Sequence, residues 1–157
     1  WPGRLAIMPR PRSGDWLDDE IKSWKMGGVE VVVSLLDDEE VEELGLANEP
    51  EIISQAGMEF VAFPIKDREV PESRRVTQEF LRKLESYLTD GRRVAVHCRA
   101  GVGRSAMIGA ALLALSGMDV DAAFKSIAEA RGCPVPDTTE QKKWVERFNQ
   151  ENAAPTR

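Results

Sequence analysis

Short runs of β-branched and apolar residues alternate along this chain with segments of helical spacing, and that alternation leaves few folds open to it. The clearest run is 29–34, Val-Glu-Val-Val-Val-Ser, which reads as a buried strand. Residues 4–8 form an earlier short strand, stopped by Pro9 and Pro11. Between them Asp15 opens a helix to about Met26, ended by Gly27 and Gly28. An acidic helix over 37–44 closes at Gly45, and a short one over 50–56 has Asn48 or Glu49 near its cap and Gly57 at its end. Residues 58–63 form a third strand, and 64–71 a loop bracketed by two prolines. Helical spacing returns over 72–89, a fourth strand spans 93–97, and a small-residue helix spans 105–115. A helix from Asp119 or Asp121 to Ala130, a loop to Asp137 and a last helix over 138–150 complete the order, with 151–157 expected to fray. No internal repeat is visible. The fold class expected is α/β, with a mostly parallel four- to five-stranded sheet flanked by helices.

The 157 residues suit one domain, 1–157, with a core that needs no staples. Two cysteines cannot build a disulfide scaffold, and one histidine excludes a multi-histidine metal site. A net charge of −6 argues against nucleic acid as a partner. The apolar run 108–115 is interrupted by Gly109 and too short to span a membrane, and no signal peptide is visible. The chain starts at Trp1, so its N-terminus is expected to be missing or processed. The default compartment is the cytoplasm, where both thiols stay reduced. The expected state is a monomer with no cofactor, no metal, no membrane and no nucleic-acid partner.

The most informative segment is His97-Cys98-Arg99-Ala100-Gly101-Val102-Gly103-Arg104-Ser105. It joins a strand to a helix N-terminus, where backbone N–H groups and the positive end of the helix dipole converge. Gly101 and Gly103 permit a tight path. Arg104 adds a permanently charged planar fork for two phosphate oxygens. A Cys98 thiol facing that potential is expected to ionise near neutral pH. Given the Cys, the odds of His, Gly, Arg and Ser at these offsets are on the order of 1 in 100,000 at average residue usage.

The pattern His-Cys-x5-Arg-Ser resembles the signature of the cysteine-based protein tyrosine phosphatases, most closely the small dual-specificity branch, and the resemblance covers nearly the whole chain. It implies a Cys98 nucleophile that forms a phosphocysteine, later hydrolysed by water without a metal. It implies that the backbone of Arg99, Ala100, Gly101, Val102, Gly103 and Arg104 cradles phosphate, with the Arg104 side chain bidentate. Ser105 would hydrogen-bond the thiolate and help it leave. His97 would support the loop rather than act as a base, because neighbours along a strand point opposite ways.

Asp67 is the candidate general acid and then base. It lies in the 64–71 loop, followed by three residues and a proline as in the family, and it precedes Cys98 by 31 positions. Glu69 on the same loop is its competitor. Gln141 matches the family glutamine that positions the hydrolytic water, and with Thr138 it equally fits a capping box. Arg99, Lys66, Arg68 and Arg131 form either a positive rim or a solvated face. The acidic run 37–43 reads as a solvated helix face, the four tryptophans as core, and Cys133 as packed rather than as a redox partner of Cys98. Tyr87 falls on a helix, so no aromatic loop deepens the pocket, though Phe63 or a tryptophan is a possible substitute.

The function expected is hydrolysis of phosphotyrosine, and in addition phosphoserine or phosphothreonine, in protein or peptide substrates, with phosphate or another oxyanion seated in the loop. One alternative is a phosphoinositide or other non-protein phosphate-ester phosphatase. It is weakened because only Arg99 is basic among residues 99–103. From a different class, the alternative is an inactive phosphate-binding adaptor, which usually lacks one of the three residues retained here.

Overall fold

Alternation along one strand sets the layers. In the computed structural model, which describes residues 1–153, β2 (Val31–Ser34) is buried throughout. Val31 and Val33 enter one apolar cluster, and Val32 enters a second on the opposite face. β2 lies in a sheet with β1 (Arg4–Pro9), β3 (Glu59–Ala62) and β4 (Arg93–Cys98), in the order β1-β4-β2-β3. Every pairing is parallel, with Val33 opposite both Val61 and Val96. Among the described residues the strands therefore number four, at the lower end of the expected range, and none runs antiparallel.

Parallel neighbours need crossovers, and the helices supply them. α1 (Trp16–Met26) links β1 to β2, while α2 (Asp38–Glu43) and α3 (Glu49–Gln55) link β2 to β3. Leu17 and Ile21 of α1 and Ile53 of α3 bury against Val32 and Met58. α4 (Arg74–Thr89) returns the chain to the centre of the sheet, so that β4 fits between β1 and β2. α5 (Arg104–Leu115), α6 (Val120–Arg131) and α7 (Thr139–Ala153) follow. With α4 they cover the second face, where Leu81, Leu84, Met107, Ile108, Leu112, Phe124 and Phe148 pack on Val94 and Val96. Burying each such apolar side chain contributes about 1.5–3 kcal/mol.

The element boundaries have local causes. Ser73 caps α4, its hydroxyl accepting from the Val76 N–H, so the helix starts at Arg74 rather than near 72. Asp119, not Asp121, caps α6. Asp15 occupies the N-cap of α1 without a side-chain hydrogen bond. The expected fraying does not begin at 151, because α7 continues through Ala153; residues 154–157 lie outside the described part. The tryptophans are not uniformly core. Trp16 is 57% and Trp1 39% exposed, whereas Trp24 and Trp144 pack against the two clusters.

Candidate phosphate site at the end of β4

Ligands of open parallel sheets sit beyond the carboxyl ends of the strands. Here the central strand β4 ends on Cys98, and the loop that follows feeds α5. Strand alternation sends the last two side chains apart. Cys98 joins the cluster beneath α5, while His97 crosses to the other face. There its Nε2 lies 2.6 Å from Glu49 of α3, and its ring stands 6.3 Å from that of Trp24. The buried His97 Nδ1 has no partner among the described residues.

The loop is pressed against β1. Gly101 has φ +70°, and a Cβ there would lie 2.5 Å from the Met8 carbonyl carbon, so only glycine fits both the conformation and the space. Arg131 straps the loop from outside, donating from Nε to the Gly101 carbonyl at 3.0 Å and from Nη2 to that of Ala100 at 3.2 Å. The Cys98 sulfur is buried and lies 3.2 Å from the Ser105 hydroxyl in the first turn of α5.

Arg104 is 1% exposed, yet it is a cation, and a buried cation needs partners. Glu40 of α2 accepts in bidentate fashion, from Nη1 at 2.5 Å and from Nη2 at 2.9 Å. Nη1 also donates to the Ile65 carbonyl at 2.8 Å, and Nη2 to Asp67 at 3.2 Å. A guanidinium has five N–H donors. Glu40 and Ile65 occupy one end of the fork, and Nε donates to no acceptor among the described residues. An oxyanion can therefore take the edge formed by Nε and the Nη2 proton now directed at Asp67.

Glu40 is itself positioned by helix capping. The Asp37 side chain accepts from the Glu40 N–H, and the Glu40 side chain accepts from the Asp37 N–H. Burial pushes the Glu40 carboxyl up. Hydrogen bonds from Arg104 and the Asp37 backbone, with the charges of Arg104 and Arg99, outweigh this and hold it below the usual carboxylate range. Burial likewise opposes the charge on Arg104, and the Glu40 carboxylate, with Cys98 and Asp67, more than restores it.

Cys98, Arg99, Ala100, Gly103 and Arg104 line a cavity of about 130 Å³ together with Asp67, Arg68 and Asp137. Gly101 and Val102 shape the loop without lining it, and no aromatic side chain contributes. Glu69, the competitor of Asp67, opens instead into a neighbouring groove with Lys66 and Phe63. The capping box at Gln141 is present: Thr138 N–H donates to its Oε1 at 3.2 Å, and Gln141 N–H to the Thr138 hydroxyl at 3.1 Å. Gln141 Nε2 reaches the Glu69 carbonyl at 3.4 Å, and its fully buried side chain does not line the cavity. The positive rim dissolves in part, since Arg99 pairs with Glu43 at 3.4 Å and Arg131 is spent on loop carbonyls.

Three residues at this site escaped sequence reasoning. Glu40 falls in the run read as a solvated face and is 5% exposed; the Asp37-x-x-Glu40 capping pattern was its only signal. Glu49 behind His97 had none. Asp137 beside Gly103 was read as loop, and its carboxylate would lie 2.8 Å from a Cβ at that glycine. Among the described residues no helix is long and apolar enough to cross a membrane.

Known proteins resemble this arrangement. Residues 6–118 match the family Tc-R-P, described as "Polymorphic toxin system, DSP-PTPase phosphatase". A protein of Invertebrate iridescent virus 6 named "Putative tyrosine phosphatase 197R" is 38% identical over 133 residues, covering 77% of this chain and 48% of that protein. The chain thus spans about half the length of this relative. Among solved structures, kinase associated phosphatase superposes with a TM-score of 0.84 at 22% identity, over 97% of this chain and 88% of that one. Tk-PTP in its active form gives 0.76 at 28% identity, over 94% and 92%. PTPMT1 in complex with PI(5)P gives 0.78 at 21%, over 96% and 93%. The family match runs from within β1 to the turn after α5 and so takes in part or all of every strand and the Cys98 loop; the chain belongs to the DSP-PTPase phosphatase family of polymorphic toxin systems.

Proposed function

We propose that the chain hydrolyses phosphomonoesters of protein tyrosine, and of serine or threonine, through a phosphocysteine on Cys98. The observation that carries this reading is the meeting, in one small cavity, of a sulfur, a guanidinium and a carboxylate from another loop that now accepts from that guanidinium at 3.2 Å. In the first step the Cys98 thiolate attacks phosphorus, the ester P–O bond breaks, and Asp67 protonates the departing oxygen. Nε and Nη2 of Arg104, with the loop N–H groups, hold the equatorial oxygens where charge gathers. In the second step water attacks phosphorus, Asp67 takes its proton, and the S–P bond breaks. Ser105 hydrogen-bonds the leaving thiolate, and inorganic phosphate is released.

His97 supports the loop from the opposite face. Gln141 orients the attacking water by releasing the Glu69 carbonyl, which it now reaches at a long 3.4 Å. The absence of aromatic residues from the cavity lining favours broad acceptance of tyrosine, serine and threonine esters.

Leaving-group dependence tests Asp67. An acid that protonates the departing oxygen matters most when that oxygen is basic, so Asp67→Asn should slow phosphotyrosyl and alkyl phosphates by about 10²–10⁴-fold in kcat/KM. For p-nitrophenyl phosphate, whose leaving group needs little help, kcat/KM should change by less than about tenfold. Equal losses on both substrates would remove Asp67 from the acid role.

A further inference from the structure

The loop that brings Asp67 and Arg68 to the phosphate cavity also lines a second, larger one. Ile65, Lys66, Glu69 and Val70 from the same loop face a groove of about 450 Å³. Its floor is apolar, formed by Phe63, Ile65, Val70, Pro71 and Val76. Phe63 is held by stacking on Phe80 at 4.1 Å, and Val76, in the first turn of α4, is 44% exposed. The rim is anionic. Asp37 and Asp38 stand at the start of α2, and Glu69 and Glu72 at the loop end, against the single ammonium of Lys66. Among the described residues none of these four carboxylates is in a salt bridge, whereas Glu40, Glu43 and Glu59 are. An apolar trough edged with unpaired carboxylates fits a side chain with an aliphatic stem and a cationic head.

We propose that this groove seats a lysine or arginine of the substrate chain, close in sequence to the phosphorylated residue. The inference deepens the phosphoprotein reading above and rests on it. The two cavities divide the charge of the substrate between them. The phosphate meets Arg104 and the start of α5, and the flanking cation meets Asp38, Glu69 and Glu72. One loop forms the wall between the two, so a single extended peptide can reach both. The same rim works against an anionic membrane surface, which would set lipid phosphates beside the carboxylates.

A peptide series tests this directly. Each peptide carries a central phosphotyrosine in an alanine background, with one arginine or one glutamate moved through the four positions on either side. Arginine at one or two positions should raise kcat/KM about tenfold over alanine, glutamate there should lower it, and added salt should shrink both effects. In the double variant Asp38→Asn/Glu72→Gln the arginine advantage should fall to within about twofold, while hydrolysis of p-nitrophenyl phosphate stays at the wild-type rate. A flat profile, a preference for glutamate, or an arginine advantage that survives in the double variant overturns the proposal. So does faster turnover of a phosphoinositide in mixed micelles than of any peptide. A wild-type protein that fails on p-nitrophenyl phosphate itself overturns the underlying phosphatase reading, which the peptide profile alone does not.

Discussion

Replacing Cys98 by serine is expected to reduce turnover by on the order of 10⁵-fold, while phosphopeptide binding persists. The substitution exchanges a sulfur nucleophile for a hydroxyl, which stays protonated at neutral pH and attacks far more weakly without a base. Among the described residues, the only side-chain hydrogen-bond partner of the sulfur is the Ser105 hydroxyl, 3.2 Å away. His97 is unavailable, since it lies on the opposite face with Glu49. Binding should survive because its groups are elsewhere: the edge of Arg104, the loop N–H groups and the amino end of α5. Turnover assays and titration of a non-hydrolysed phosphopeptide measure the two effects separately. Activity near the wild-type level would show that another group attacks phosphorus.

The second large effect falls on a residue that touches no substrate. Glu40→Gln should cost about 3–5 kcal/mol of stability, because it removes the buried bidentate counter-charge of Arg104 and leaves only the longer contact to the half-exposed Asp67. For a chain of this size that lowers Tm by on the order of 10 °C. Activity should fall as well, since the bidentate contacts at 2.5 and 2.9 Å fix the plane of the guanidinium and hence the edge left for phosphate. A loss of about 10²-fold in kcat/KM is expected in the folded fraction. Acid should mimic part of this. The folded-state Glu40 carboxyl sits below its ordinary value of 4.5. Its contribution is therefore fully present above that value and is lost as pH falls through the lower folded-state value. Thermal unfolding of wild type and Glu40→Gln across that acid range should show the gap between them closing. A gap that stays constant would mean that the pair does not stabilise the fold as described.

What the sequence revealed and what it concealed divide along local and non-local lines. The 29–34 run, the Gly-closed helices and the Cys98 loop depend on neighbours in the chain, and each appears within a residue or two of its expected place. Cys98 and Arg104 were legible for the same reason, since one turn contains both. Strand order was not, because placing β4 between β1 and β2 is decided by packing across the whole sheet. Glu40 was hidden for a related reason. Its run of carboxylates looks like a wet helix face, and its partner Arg104 is 64 residues away. Glu49 reaches His97 over 48 residues and leaves no pattern at all. Gln141 shows the opposite difficulty: a local capping box and a distant catalytic role predict the same residue, and the observed hydrogen bonds satisfy the first while bracing the acid loop through Glu69.

The most direct test of the account is to trap the intermediate. In Asp67→Asn, phosphorylation of the enzyme by p-nitrophenyl phosphate needs little acid catalysis, whereas the hydrolysis that follows lacks its base, so the covalent species should accumulate. Rapid quenching followed by mass spectrometry of the digested protein should then find one phosphoryl group on the peptide containing Cys98, at near-stoichiometric occupancy, and none in Cys98→Ser. Steady turnover by Asp67→Asn with an unmodified Cys98, or a phosphoryl group on any other residue, would contradict the mechanism.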